Sequence, residues 1–283
     1  MKICVAGLGI IGGSMCLALK RAGLAADGWN RSPDALKYAL ERGYIDKAAS
    51  CFEEYDVVFV ALPPEAAISF INSSRFKDGA VVSDICGVKE WIEREIKARR
   101  RNFSYVGCHP MAGKEVSGIE NACVGLFDEA SMIVTENPET DKAAKELIIS
   151  LVRAMGFKRV VECSAEVHDR KIAYTSQLAH VVSNAYVKDA EIDGCLGFTG
   201  GSFQDMTRIA GVDEKMWSSL FMKNRENLSG RIQSLIFSLS EIKEAVDGGD
   251  ARILCKILAR GREIALGDVK TRQNGGIKIT DLK

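Results

Sequence analysis

The sequence is poor in histidine and proline, with three and five of them among 283 residues. Aromatic residues make up 7%, and 38 Lys and Arg are balanced by 38 Asp and Glu. A net charge of zero excludes the global basic field that attracts nucleic acid or anionic lipid. With 47% hydrophobic and 27% charged residues the chain has a globular composition, which excludes a disordered or collagen-like protein.

Paired cysteines and long membrane-type runs are also missing. The nine cysteines are odd in number and form no CxxC pair. We therefore expect small apolar thiols in a reducing compartment, without disulfides or a metal site. Residues 3–19 carry no charge, but glycines interrupt them, and no other stretch reaches the ~18 apolar residues of a membrane span. These features predict a cytoplasmic protein without a membrane or nucleic-acid partner.

The first half of the chain alternates short apolar runs with helical periods. Strands are predicted at 2–6, 56–62, 80–83 and 103–108, another ends near Trp29, and the helices between them include 10–21 and 88–99. This alternation predicts an α/β fold with a parallel sheet covered on both faces.

After about residue 165 the strand signals nearly vanish. Apolar helical periods cover 167–188, 217–245 and 251–265, the second with a possible break near Gly230. We predict an α/β domain at 1–163 and an all-helical domain at 164–283. The apolar helical half is expected to pack against a second subunit, and a core within one chain is the alternative.

One glycine-rich motif follows the first predicted strand and opens a helix. Gly7 permits a tight turn, Gly9 lets a pyrophosphate approach the backbone, and Gly12 lets helix and strand pack closely. The phosphate would lie on the helix N-terminus, where free N–H groups point outward. We expect a Rossmann-type domain whose cofactor contacts in this segment are Gly7, Leu8, Gly9, Ile10, Ile11 and Gly12.

The end of the second strand bears on the choice of cofactor. NAD enzymes usually place a carboxylate there, whereas this chain has Asn30, Arg31 and Ser32. Arg31 can pair with a 2′-phosphate and Ser32 can donate a hydrogen bond to it. This favours NADP and leaves NAD possible, unless Arg31 is only a solvated loop residue. Leu62 and Pro63, at the end of the predicted strand 56–62, complete the expected cofactor contacts.

His109 follows the predicted strand 103–108, and Pro110 stiffens its backbone. At the carboxyl end of a parallel strand a histidine can accept a proton from an alcohol undergoing oxidation. The alternative is a structural histidine that is fully hydrogen-bonded within the protein.

Two further segments carry polar residues that are candidates for substrate contacts. Asp169, Ser176 and His180 are spaced at i, i+7 and i+11, so at ~100° per residue they share one helix face. Such a stripe requires a ligand or a buried hydrogen-bond network. Arg208 follows the pair Gly200-Gly201 and can grip a carboxylate, unless it only pairs with Asp205.

Together these segments resemble the prephenate/arogenate dehydrogenase family of tyrosine biosynthesis. The resemblance runs from Gly7 to about Asn224, and its most specific part is the run His-Pro-Met-Ala-Gly at 109–113. It implies oxidative decarboxylation of prephenate or arogenate, with hydride transfer to NADP or NAD, by a homodimer joined through its helical domain.

The resemblance also implies roles for individual residues. His109 would draw the proton from the ring hydroxyl, and Arg208 would anchor a substrate carboxylate. The remaining expected substrate contacts are Ser176, His180, Lys114, Glu115 and Asp169.

One departure from the family pattern concerns Gly87. The family often has Asp-x-x-Ser-Val-Lys where residues 84–89 read Asp-Ile-Cys-Gly-Val-Lys, so the serine that would assist the histidine is missing. Two other functions stay open on the sequence: an NADP-dependent β-hydroxyacid-type dehydrogenase and a non-catalytic NADP-binding sensor. Neither the choice between prephenate and arogenate nor feedback by tyrosine follows from these residues.

Overall fold

The computed structural model describes residues 1–99, 101–114 and 116–273. Two compact units are present, one spanning Met1–Arg225 and the other beginning at Glu226. The predicted domain boundary after residue 163 lies within the first unit and stays a prediction.

A five-stranded parallel sheet forms the centre of the first unit. Its strand order is β2-β1-β3-β4-β5, and all four pairings are parallel. The predicted α/β class is therefore confirmed. The strands are β1 (Ile3–Ala6), β2 (Ala26–Trp29), β3 (Val57–Val60), β4 (Val81–Asp84) and β5 (Ser104–Tyr105), and the helices between them are α1 (Ile10–Arg21), α2 (Pro33–Glu41), α3 (Pro64–Ser73) and α4 (Glu90–Lys97).

Both faces of this sheet are buried. Because successive side chains of a strand point to opposite faces, Val57 and Phe59 of β3 lie in one hydrophobic core and Val58 and Val60 in another. All four residues are completely buried. This explains why the sequence shows continuous apolar runs instead of polar and apolar alternation.

The prediction of a single strand at 103–108 was wrong. β5 ends at Tyr105, and β6 (Gly107–Pro110) belongs to a second sheet with β7 (Ser131–Thr135) and β8 (Arg159–Cys163). Gly107 makes this transfer possible, because a Cβ there would lie 2.4 Å from Thr135 Oγ1 across the antiparallel pairing. His109 therefore lies within a strand of the second sheet and does not follow the carboxyl end of a parallel strand.

Helices account for most of the remaining described chain. One π-helical turn, Ala173–Gln177, joins α6 (Ala165–Ile172) to α7 (Leu178–Tyr186). No helix in the described ranges combines the length and apolar character needed to cross a membrane. The others are α5 (Lys142–Ala154), α8 (Gly201–Thr207), α9 (Glu214–Lys223), α10 (Arg225–Asp247) and α11 (Ala251–Gln273).

The predicted helical break near Gly230 was also misplaced. The helix ends at Lys223, and α10 starts two residues later. Asn224, between them, donates from Nδ2 to the Asp169 carbonyl at 2.8 Å and to Gln177 Oε1 at 2.9 Å. These tertiary hydrogen bonds hold the end of α9 against the π-helical turn and stabilise the chain where the helical hydrogen bonding between α9 and α10 is interrupted.

A fully buried ion pair holds β4 to the start of α4. Lys89 Nζ lies 2.6 Å from Asp84 Oδ1, and neither side chain has any exposed area. The Tyr105 hydroxyl donates to the second Asp84 oxygen, and the Cys86 N–H donates to the first at 2.8 Å. Every oxygen of this buried carboxylate is thus hydrogen-bonded, which is the condition for burying a charge.

We expect Lys89→Met to lower the free energy of unfolding by about 3–5 kcal/mol, because it leaves Asp84 as a buried carboxylate without its counter-ion. Urea denaturation followed by circular dichroism measures this loss. The matched control is Lys77→Met, since Lys77 pairs with Asp56 but is 51% exposed and should cost less than about 1 kcal/mol. Equal losses in the two variants would contradict the prediction.

Candidate active site

The turn between β1 and α1 has the steric features that the glycine motif predicts. Gly7 adopts φ +102°, and a Cβ there would lie 2.3 Å from the Ala61 carbonyl oxygen. A Cβ on Gly12 would lie 1.8 Å from the Gly7 carbonyl oxygen. Both positions therefore require glycine for the backbone alone, without reference to a ligand.

Gly9 differs, and this difference points to a ligand. A Cβ on Gly9 would meet no heavy atom within 4 Å, so packing within the chain does not explain the glycine. Gly9 is the N-cap of α1, it makes no side-chain capping bond, and the first turn holds no acidic residue. An open helix N-terminus of this kind fits the pyrophosphate of a dinucleotide.

A cavity of about 540 Å³ lies beside this turn. Five of the predicted cofactor residues, at positions 30–32 and 62–63, line this cavity. Asn30 also links the end of β2 to the glycine turn, because its Oδ1 accepts the Leu8 N–H at 2.9 Å. The residues lining the cavity are Trp29, Asn30, Arg31, Ser32, Phe52, Leu62, Pro63, Ala66, Ser69, Phe70, Ser73 and Ser74. None of them is acidic. The cavity has the size and the aromatic walls to hold the adenosine part of a dinucleotide.

Asp27, the acidic residue of β2 two positions before Trp29, is engaged elsewhere. It lies in β2, where Oδ2 accepts the Tyr55 hydroxyl at 2.8 Å and lies 3.6 Å from Lys47 Nζ. Burial raises the pKa of the Tyr55 hydroxyl, with the Asp27 hydrogen bond as the second cause. Asp27 therefore stabilises the contact between β2 and the residues before β3.

His109 is half-buried on β6 and contacts a second histidine. Its Nδ1 lies 2.8 Å from Nε2 of His168, whose own Nδ1 lies 2.7 Å from Asp169 Oδ1. Asp169 also accepts the backbone N–H groups of Lys89 and Glu90, at 2.8 and 3.0 Å. His168 and Asp169 are each 1% exposed, so these side chains belong to a buried hydrogen-bond network. Such a network was one of the two explanations that the sequence offered for Asp169.

The environment keeps both imidazoles uncharged. Burial lowers the pKa of His109 well below its usual value, and the neighbouring His168 and Lys89 lower it further. Burial also lowers the pKa of His168 to about 3. The same burial raises the pKa of Asp169 to about 6, so this carboxyl group is mainly ionised at pH 7.

The other ring nitrogen of His109 faces Gly87. A Cβ on Gly87 would lie 3.5 Å from His109 Nε2 and 3.7 Å from Leu220 Cδ2. Helix α9 thus reaches this site through Leu220. One turn earlier on α9, Trp217 contacts His180, with ring centroids 3.8 Å apart and ring planes tilted by 42°. These contacts bring His109 and His180 to the same helix, although 71 positions separate them in the sequence.

The remaining predicted residues lie around this centre. His180 Nδ1 hydrogen-bonds the Ile209 carbonyl at 3.0 Å, next to exposed Arg208. Ser176 is half-buried in the π-helical turn, which interrupts the regular 100° spacing assumed from Asp169 to His180. Lys114 is exposed, with Nζ 3.6 Å from Cys123 Sγ. Glu115 lies outside the described residues.

His168 and Lys89 are the residues that the sequence reasoning passed over. His168 contacts Nδ1 of His109 through its Nε2. Lys89 supplies a buried positive charge, and its backbone N–H donates to Asp169. The scarcity of histidine was a usable signal, because two of the three occur together here. Burial of Lys89 had no sequence signal, since an isolated lysine is normally exposed.

Comparison with known proteins agrees with this arrangement. Residues 15–161 match the family described as prephenate dehydrogenase, nucleotide-binding domain, and residues 164–260 match prephenate dehydrogenase, dimerization domain. Together the two matches cover most of the chain.

Individual relatives extend over nearly the whole sequence. Prephenate dehydrogenase of Bacillus subtilis is 29% identical over 97% of this chain and 78% of its own length. Cyclohexadienyl dehydrogenase of Zymomonas mobilis is 25% identical over 89% and 90%. The crystal structure of Aquifex aeolicus prephenate dehydrogenase with hydroxyphenyl propionate and NAD+ shares 28% identity and a TM-score of 0.82, covering 96% of this chain and 98% of that one. This chain belongs to the prephenate dehydrogenase family and is an oxidoreductase that uses a nicotinamide cofactor.

Proposed function

We propose that this chain oxidatively decarboxylates prephenate or arogenate, giving 4-hydroxyphenylpyruvate or tyrosine and carbon dioxide, with NADP as the preferred hydride acceptor. The observation that carries the proposal is the neutral imidazole of His109, held through Nδ1 while Nε2 faces the open side of Gly87. A general base must be uncharged before it can accept a proton, and it must be fixed in orientation.

His109 Nε2 accepts the proton of the ring hydroxyl as the neighbouring ring carbon loses its hydride. When bound, the nicotinamide ring supplies the hydride acceptor. The bond from the ring to its carboxylate then breaks, and its electron pair completes the aromatic ring while carbon dioxide leaves. The ring oxygen recovers the proton from His109, so the imidazole ends the cycle neutral.

Substrate binding falls to residues on the helices beyond His109 and to Lys114, which lies in the loop after β6. Arg208 pairs with a substrate carboxylate through its two parallel N–H donors, and Ser176, His180 and Lys114 contribute polar contacts. Asp169 is buried and saturated by donors from the protein, so its contribution passes through His168. The resemblance gives the same roles to Arg208, Ser176 and His180. The match of residues 164–260 to a dimerization domain supports a homodimer joined through its helical part.

The preference for NADP rests on the cavity beside the glycine turn. Arg31 lines it, Asp27 is committed to Tyr55 and Lys47, and no lining residue carries a negative charge. A 2′-phosphate would therefore meet a cation and no repelling carboxylate. The Asn30 Oδ1 already accepts the Leu8 N–H, so this side chain shapes the turn in addition to lining the cavity.

The direct test is absorbance at the reduced-nicotinamide band, with prephenate and arogenate each offered NADP and NAD. We expect turnover with at least one pair. His109→Asn should lower kcat by about 10²-fold or more while NADP binds as before, because only the proton acceptor is lost. If the chain binds NADP but turns over none of the four pairs, the proposed function is wrong, and a β-hydroxyacid dehydrogenase or a sensor replaces it.

A second prediction concerns cofactor choice. Arg31→Ala should lower kcat/KM with NADP by about tenfold or more and leave the value with NAD nearly unchanged, since a charge-assisted hydrogen bond to phosphate contributes about 1.5–3 kcal/mol. The matched control is Arg42→Ala, because Arg42 lies over the Tyr38 ring outside the cavity. Parallel losses with both cofactors would remove Arg31 from phosphate recognition.

The pH profile provides a third prediction. His109 must be neutral to accept a proton, and its pKa is lowered by burial, so acid does not charge it near the usual value of 6.5. Asp169 has its pKa raised to about 6 and takes up a proton first as the pH falls. We therefore expect kcat/KM to stay nearly level from about pH 8 to about pH 7 and to fall below that, with the midpoint of the acidic limb near pH 6. An acidic limb centred at or above pH 6.5 would contradict this.

A further inference from the structure

Three side chains form a hydrogen-bonded series that ends at the open face of His109. Asp169 Oδ1 lies 2.7 Å from His168 Nδ1, and His168 Nε2 lies 2.8 Å from His109 Nδ1. His109 Nε2 then faces Gly87, which has no side chain to occupy it. In such a series the position of each proton depends on the group before it.

The ionisation of Asp169 determines which atom is the donor in each hydrogen bond of the series. Its Oδ1 accepts the Lys89 N–H and its Oδ2 accepts the Glu90 N–H, at the first residues of α4. Two backbone donors favour the ionised form of a carboxylate, and the helix N-terminus favours it further. An ionised carboxylate can only accept, so His168 must donate from Nδ1.

The proton positions on the two imidazole rings follow from this donation by His168 Nδ1. A neutral imidazole carries one proton, so His168 Nε2 is left as an acceptor. His109 must then donate from its own Nδ1, which leaves Nε2 unprotonated. The reverse order would require a hydrogen on His168 Nε2 and no proton on its Nδ1, opposite the Asp169 oxygen at 2.7 Å. Two acceptors would then face one another, which is unfavourable in a buried site.

We propose that His168 and Asp169 are positioning residues that hold His109 as the Nδ1–H tautomer, so that Nε2 is a bare proton acceptor before the substrate arrives. The role of Nε2 as the base rests on the proposed function, whereas the tautomer itself does not. The series orients the imidazole from its Nδ1 side, and Gly87 offers no hydroxyl on the other side.

The same series balances charge after proton transfer. When Nε2 takes the substrate proton, His109 becomes a cation, and its Nδ1 proton already points at His168. The proton on His168 points in turn at the Asp169 carboxylate, so the positive charge is stabilised through one intervening imidazole. Of the other charged groups in this cluster, Lys89 opposes a positive charge on His109, and its Nζ is itself paired with Asp84 at 2.6 Å.

Nitrogen-15 NMR of the imidazole rings tests the tautomer without substrate or turnover. The chain has three histidines, so His180→Gln and His109→Asn assign every ring by subtraction. At pH 7 we expect protonated, pyrrole-type Nδ1 and bare, pyridine-type Nε2 signals for both His109 and His168. A pyrrole-type Nε2 on His109 in the unsubstituted protein overturns the proposal, whether or not the enzyme turns over.

Two variants at His168 separate positioning from packing. His168→Leu removes the acceptor, so His109 should populate the Nε2–H form in the spectrum, and kcat should fall about 10²-fold or more with little change in KM. His168→Gln restores an amide oxygen that can accept from His109 Nδ1, and it should recover the tautomer and about tenfold of the lost kcat. Equal activity in the two variants, with an unchanged His109 spectrum, would also overturn the proposal.

If His168→Leu does not fold, the spectrum of the unsubstituted protein and that of His168→Gln still decide the question. Failure of the proposed function has a different signature. In that case none of the four substrate and cofactor pairs reacts, but His109 still shows a bare Nε2.

Discussion

One buried carboxylate, Asp169, connects the parts of the candidate active site. Its two oxygens accept the N–H groups of Lys89 and Glu90 at the N-terminus of α4 and face His168 Nδ1 on its own helix. It therefore joins α4, which lies between β4 and β5 of the parallel sheet, to α6, which follows β8 of the second sheet. A buried charge with this many donors has little freedom to move, since displacement would leave several polar groups unpaired. Only the imidazole of His168 lies between Asp169 and His109, so the position of this carboxylate constrains the orientation of the His109 ring.

The cofactor side of the site is built on a different principle, namely close approach of the backbone. Gly7 and Gly12 are required because the chain contacts itself there, whereas Gly9 is open. The glycine motif thus combines two positions where the backbone requires glycine with one, Gly9, that packing within the chain does not explain. The family match of residues 15–161 to a nucleotide-binding domain agrees with this division.

Gly87 leaves His109 without a polar side chain on the Nε2 side. The resemblance predicts a serine at this position, and in the structure a Cβ on Gly87 would lie 3.5 Å from His109 Nε2. The imidazole is nevertheless held, because its other nitrogen contacts His168. Leu220 of α9 borders the same space, so the helical part of the first unit limits what can approach the imidazole.

The sequence alone determined the parallel sheet, the glycine turn and the family, since these depend on local periodicity and on short motifs with a steric cause. Apolar runs predicted β1 and β3, and the helix at 10–21 was located to the residue. Only the tertiary structure decided that residues 103–108 divide between two sheets and that α9 ends at Lys223, because the deciding contacts, Gly107 with Thr135 and Asn224 with Asp169, join distant segments. The pairing of His109 with His168 likewise spans 59 positions, and no local pattern encodes a hydrogen bond between residues so far apart.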